Sequence, residues 1–318
     1  MHQTFSKDAP REIIKGIGIT SLFFGLSFYL PFLGFILSFL LPLPIMFYRL
    51  KLGRENASFV AAGTLLIVIF FLGSFSFDFF FFAHLLILGF ALGEFFEQGL
   101  SVEKTILHAC AVFWASAAGV LILVSLASGI RISEMVSNLV RNNLELSLVF
   151  YEQMGAPQEQ IEMLKDSLDL VQKALTRVIV GATTAGVLFT AWCNLLLARS
   201  VLSVANIKFP DFGRLNTWKA PEQLVWGVIA CGFMLMLPIG GIKILSVNGL
   251  MIFMTIYFFQ GIAVISYFFE KKDIPLIIRI LFYSFIGLQI FLLMLVTVIG
   301  FFDMWLDLRK LDTPEKDQ

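Results

Sequence analysis

Charge is what this sequence has least of. Only 14% of its 318 residues are Asp, Glu, Lys or Arg, where a soluble domain of this size carries roughly a quarter. Acidic and basic residues balance at 23 each, so no net field favours nucleic acid or an acidic substrate. Cys110, Cys193 and Cys231 are scattered through apolar runs at no metal-ligand or redox spacing, and read as small buried hydrophobes. His2, His84 and His108 also lack ligand spacing. A His-Glu-x-x-His zinc motif, a Gly-x-Ser-x-Gly nucleophile elbow and a phosphate-binding glycine loop are all missing. These absences lead to the expectation of a protein that is not an enzyme and carries no cofactor or metal.

Apolar residues are abundant. They make up 58% of the chain, with 36 Phe and a mean hydropathy of +0.87. They gather in runs of about 16 to 26 residues, the length a helix needs to cross a bilayer. Lipid offers the backbone no hydrogen bonds, so such runs are helices or barrel strands. Strict alternation is missing, which excludes the barrel. The fold class is therefore all-α, a polytopic helical membrane protein. Its spans are predicted at 13–30, 33–48, 57–74, 79–97, 105–130, 177–198, 223–239, 247–269 and 276–302. Pro31, Pro42 and Pro44 break the second, so one of the first pair can be re-entrant, and the count is about eight or nine. The polar start with Lys7 and Arg11 imitates a signal peptide but lacks a small-x-small cleavage site, and reads as the lead-in to an uncleaved span.

Basic residues set the orientation. With the N-terminus inside, Lys7, Arg11 and Lys15, then Arg49, Lys51 and Arg54, then Lys104, then Arg199 to Lys219, then Lys271 and Lys272 are all cytoplasmic. The opposite short loops, Ser74–Phe77 and Gly240–Leu245, offer only Lys243. Arg309 and Lys310 conflict with an odd number of spans, because they too prefer the cytoplasm.

Four regions follow: N-terminal transmembrane helices over 1–130, a polar stretch over 131–176, C-terminal transmembrane helices over 177–304, and a polar tail over 305–318. In the polar stretch Ile161, Leu164, Leu168, Val171 and Leu175 recur at helical seam spacing. Gly155-Ala156-Pro157 combines a helix-stop glycine with a helix-starting proline. This predicts one extramembrane αα-hairpin projecting roughly 30 Å. It serves as a stiff connector or as a docking site for a protein partner or a second copy.

Few polar residues lie inside the spans. Glu94 follows Gly89 and Gly93, whose small-x-x-x-small spacing lets helices pack closely. An intramembrane carboxylate is a functional candidate by default. Gln260 sits near the middle of its span beside Gly261, with Tyr257 one turn away, and Trp192 and Asn194 occupy another span. Each reads either as interhelical hydrogen-bond glue or as a ligand contact in a bundle cavity. Asn194 is a plausible partner for Gln260.

The stretches "WKAPEQLVW", "YFFQGIAVISYFFEKK", "GFFDMWLDLRKL" and "LPLPIMFYRLKLG" resemble the YybS-like family, bacterial multi-pass membrane proteins with a domain of unknown function. The resemblance implies placement in the bacterial inner membrane and supplies no catalytic residue. More loosely, the N-terminal arrangement looks like the substrate-binding membrane components of energy-coupling-factor transporters, which have fewer spans. The expected function is a small-molecule-binding transporter component with contacts at Glu94, Trp192, Asn194, Tyr257 and Gln260. The alternative is a membrane scaffold or assembly factor docking partners through its hairpin and cytoplasmic loops.

Overall fold

The apolar runs are helices. In the computed structural model, which describes residues 9–205, 207 and 212–311, eleven α-helices and one short 3-10 turn account for nearly all the chain, and the described residues contain no strand. His2, Lys7, Lys208 and the last seven residues lie outside the described part. The helices are α1 (Ala9–Tyr29), α2 (Pro31–Leu40), α3 (Pro42–Leu72), α4 (Phe77–Glu97), α5 (Val102–Ser128), α6 (Ile132–Gln153), α7 (Gln158–Val204), α8 (Leu224–Met236), α9 (Gly240–Lys271), α10 (Leu276–Leu288) and α11 (Ile290–Leu306). They form two compact units. One comprises the chain up to Ser128 with Val187–Phe212, and the other comprises Gly129–Gly186 with the chain from Gly213 onward.

Among the described residues six helical stretches are long and apolar enough to cross a membrane, and α10 with α11 makes a seventh if that bent pair counts as one. The count of eight or nine from hydropathy divides the same apolar chain differently. It includes α8, which has 13 residues, and it separates 33–48 from 57–74, which the length count joins as residues 36–72.

Within the first unit that joined stretch is nevertheless not one passage. Gly53 sits inside α3 at φ 80°, ψ 173°, a conformation that L side chains rarely adopt. On either side of it, Tyr48 and Val60 both approach Gly16 of α1, at 3.1 and 3.0 Å from where a Cβ would stand. Lys51 pairs with Glu12 near the start of α1, and Phe71 meets Phe24 and Tyr29 near its end. The chain therefore reverses at Gly53. Gly53→Ala is expected to lower stability by about 1–3 kcal/mol, the cost of holding a side-chain-bearing residue at positive φ with extended ψ. Gly18→Ala, in open helical space, should be neutral or better. Thermal unfolding in detergent compares the two.

The core of this unit is Phe24, Ile45, Tyr48, Val60, Phe82 and Leu85. Two glycines of α4 admit the first half of α3. A Cβ on Gly89 would strike Pro42 and Ile45, and one on Gly93 would stand 2.8 Å from the Arg49 stem.

In the second unit α6 and the start of α7 form a hairpin that turns at Gly155 (φ 77°). Lys165 pairs with Glu152 at 2.8 Å near the turn, and Gln172 donates to the Ser137 hydroxyl at 2.9 Å near the foot. Gly227 accommodates Phe253, and Gly249 accommodates Cys231, which brings α8 onto α9. The closest approach is between α9 and α11, where Gly261 meets the Val296 backbone and Gly300 meets the Tyr257 carbonyl.

α10 and α11 are bent by 105° across Gln289. The predicted last span, 276–302, is therefore not a straight crossing. Arg309, just past α11, donates to the Asn216 carbonyl at 2.8 Å. The Asn216 amide in turn donates to Glu270 near the end of α9. Arg279 of α10 donates to the Ile274 and Phe269 carbonyls at 2.7 and 3.1 Å. The start of α10 and the end of α11 thus both lie beside the end of α9. Arg309 therefore lies at the same end of this unit as Glu270 and its neighbours Lys271 and Lys272.

Candidate functional site

Glu94 stands in an ionic quartet in the first unit. Arg49 reaches it from the first half of α3, with Nη2 at 2.5 Å and Nε at 3.0 Å. The same Nη2 lies 2.8 Å from Glu97, and Arg54, just past the Gly53 reversal, pairs with Glu94 as well. Two guanidiniums and two carboxylates neutralise one another. Arg49 is only 3% exposed and one of its terminal nitrogens has no hydrogen-bond partner. Its stem runs through the space that Gly93 leaves, and its guanidinium lies 5.7 Å from the Phe90 ring centre. The placement follows from local sequence: the reversal at Gly53 puts Arg49 and Arg54 at the same end of the unit, and α4 ends there with Glu94 and Glu97.

Beside the quartet an open cavity of about 400 Å³ runs between the second half of α3 and α4, with Val112 of α5 also in its lining. Ala61, Leu65, Ala83, Ile87 and Phe90 line its length, while Arg54, Ser58 and Glu94 form one end. It is apolar along its body and ionic at its mouth, and its size falls in the range of small-ligand sites.

Trp192 and Asn194 also belong to this unit, but they do not line that cavity. The Asn194 amide donates at 2.7 Å to the carbonyls of Phe39 and Thr190. The first of these bonds ties α7 to the end of α2. Trp192 is buried. His84 and His108 each bond a carbonyl of their own helix at 2.6 Å, and no group of three metal-ligand side chains occurs among the described residues.

Gln260 and Tyr257 lie in the second unit, both fully buried. The expected pairing of Gln260 with Asn194 is not what the structure holds. Gln260 accepts from the Ala220 backbone N–H at 3.1 Å and donates to Asp303 at 3.1 Å. Asp303 in turn takes Arg309 Nη2 at 2.7 Å, and both side chains are wholly buried. Arg309 also donates to the carbonyls of Asn216 and Trp218. One amide and one ion pair thus tie α9, α11, the segment after α11 and the segment before α8 into a closed knot. Tyr257 packs its ring on Phe301 at 5.1 Å, and its hydroxyl has no hydrogen-bond partner.

Sequence reading missed Asp303, Arg309 and Arg49. Asp303 is a carboxylate inside "GFFDMWL" and satisfies the same rule that singled out Glu94. Arg309 lies in the polar stretch 305–318, beyond the last apolar run. It turns back because Asp307 adopts a left-handed conformation (φ 37°) that ends α11.

The family model described as "Predicted membrane protein (DUF2232)" matches residues 18–304, which covers both the ionic quartet and the Gln260–Asp303 contact. The chain belongs to this family. It is also similar to "Uncharacterized protein YybS" of Bacillus subtilis (strain 168), with 25% identity over 274 residues, 83% of this chain and 86% of that protein. No solved structure matches the chain. As a DUF2232 member it is a multi-pass membrane protein in contact with the lipid bilayer.

Proposed function

We propose that the chain binds a small amphipathic molecule within the bacterial inner membrane as a component of a transport system, without performing a chemical step. The observation that supports this reading is the cavity between α3 and α4, apolar for most of its length with Arg54, Ser58 and Glu94 at its mouth. A molecule with a hydrocarbon or ring body and a polar head fits that distribution, the body lying against Leu65 and Ile87 and the head reaching Arg54. Arg54 suits the role because its side chain is two-thirds exposed, whereas Arg49 is locked beneath Gly93. Asn194, Tyr257 and Gln260 then act as internal fasteners, which their protein-bound or packed positions support.

Photo-crosslinking from two adjacent positions tests the reading. Leu65 lines the cavity, while Leu66 is 69% exposed on the outer surface of the same helix. A benzophenone side chain at 65 should give one discrete adduct mass, and at 66 the mixture of bulk lipids. The same lipid mixture at both positions would contradict the proposal.

A second reading, a scaffold that docks a protein partner or a second copy, draws on the hairpin. Leu146, Phe150, Met154, Met163 and Leu170 are all exposed there. Pull-down of one discrete protein, lost when Phe150 and Met154 become serine, would favour it.

A further inference from the structure

The foot of the hairpin holds a polar cleft of about 410 Å³ lined by Ser137, Arg141, Asp169, Gln172, Lys173, Thr176 and Arg177. Three cations face one carboxylate. Arg141 is already engaged, by Glu145 at 2.9 Å and Asp169 at 3.4 Å. Lys173 and Arg177 have no ion pair among the described residues, although Glu134, Glu159, Glu162 and Asp166 all occur on the same two arms.

The cleft stands at the membrane boundary on two helices. In α7, Arg177 immediately precedes the uncharged run 178–198. In α9 the uncharged run starts after Lys243, and Asn248 within it donates to the Arg177 carbonyl at 2.8 Å and accepts from the Gly181 N–H at 2.5 Å. Arg177 is therefore level with the end of both apolar stretches, where phosphates of a bilayer lie. A basic residue flanking a span commonly reaches water by itself. Here the unpaired cations converge with two hydroxyls and an amide in one concave space, and Gln172 fixes the arms around it through Ser137.

We propose that this cleft binds a phosphate group, with Lys173 and Arg177 supplying the charge and the Ser137 hydroxyl, which accepts from Gln172 and keeps its own proton free, donating a hydrogen bond. Charge-assisted bonds to phosphate are among the stronger available to side chains. The phosphate belongs either to a lipid headgroup or to a small soluble phosphate ester. This site is separate from the α3–α4 cavity and does not depend on what that cavity holds.

The test is native mass spectrometry of the full chain in detergent, titrated with phosphatidylglycerol, phosphatidylcholine or glycerol 3-phosphate. Lys173→Gln/Arg177→Gln is compared with Lys165→Gln, whose cation is paired nearer the tip. Two charges at about 1 kcal/mol each correspond to about a 30-fold loss of affinity. Loss of phosphatidylglycerol on that scale, in the double variant only and with no competition by glycerol 3-phosphate, identifies a lipid headgroup. Competition by glycerol 3-phosphate identifies a soluble phosphate ester. Equal phosphatidylglycerol binding by wild type and double variant, with both retaining wild-type melting behaviour, overturns the proposal. So does an equal loss in Lys165→Gln.

Discussion

Asp303→Leu is expected to lower the unfolding free energy by about 3–5 kcal/mol, because it leaves the Arg309 guanidinium buried without its carboxylate. Both side chains are fully enclosed, so water cannot take over the lost interaction. Gln260 would lose its acceptor as well. Removing both charges should be far milder, since a buried pair replaced by apolar groups of similar volume is often neutral. Asp303→Leu/Arg309→Leu should therefore recover most of the loss. Gln260→Leu should cost about 1 kcal/mol, the usual scale of a membrane-protein hydrogen bond. Thermal unfolding of the purified variants reads all three. A double variant as unstable as Asp303→Leu alone would show that the knot is not held by this ion pair.

Gly300→Leu should also cost about 3 kcal/mol or more, at or beyond the usual range for overpacking. The obstacle is backbone: a side chain at 300 meets the Tyr257 carbonyl and the Gly261 N–H, and neither can rotate aside. α9 and α11 would have to part, which would break the Gln260–Asp303 contact too. Gly287→Leu serves as the control, because nothing lies within 4 Å of its Cβ position. Equal melting of the two variants would mean that α9 and α11 do not pack closely in the membrane.

The helical membrane class was legible because lipid leaves the backbone so few choices, and apolar runs such as 177–198 announce themselves by length. Glu94 and Gln260 could be singled out for a related reason, since a polar group in such a run must have a partner. Which partner it takes depends on chain reversals that hydropathy does not encode. Gly53 reverses the chain between the two helical halves of α3, and its positive φ marks the turn. That reversal sets Arg49 and Arg54 on Glu94. The 105° bend at Gln289 and the left-handed Asp307 likewise bring Arg309 back to Asp303. Counting apolar residues from 276 to 302 could not register either. The cavity was also out of reach, because small residues such as Ala61 and Ala83 mark it only once α3 and α4 are side by side.

The central claim, a small amphipathic ligand in the α3–α4 cavity, is tested most directly by the mass of what leaves the membrane with the protein. Wild type extracted in mild detergent should carry one discrete small molecule in native mass spectra. Ala61→Trp, which fills the cavity from α3, should lose it while remaining folded, and should melt lower only by the stabilisation that bound ligand supplies. Lys173→Gln/Arg177→Gln, altered in the other unit, should keep it. A wild-type protein that emerges with no bound molecule, or an Ala61→Trp variant that retains the same one at the same occupancy, would contradict the account.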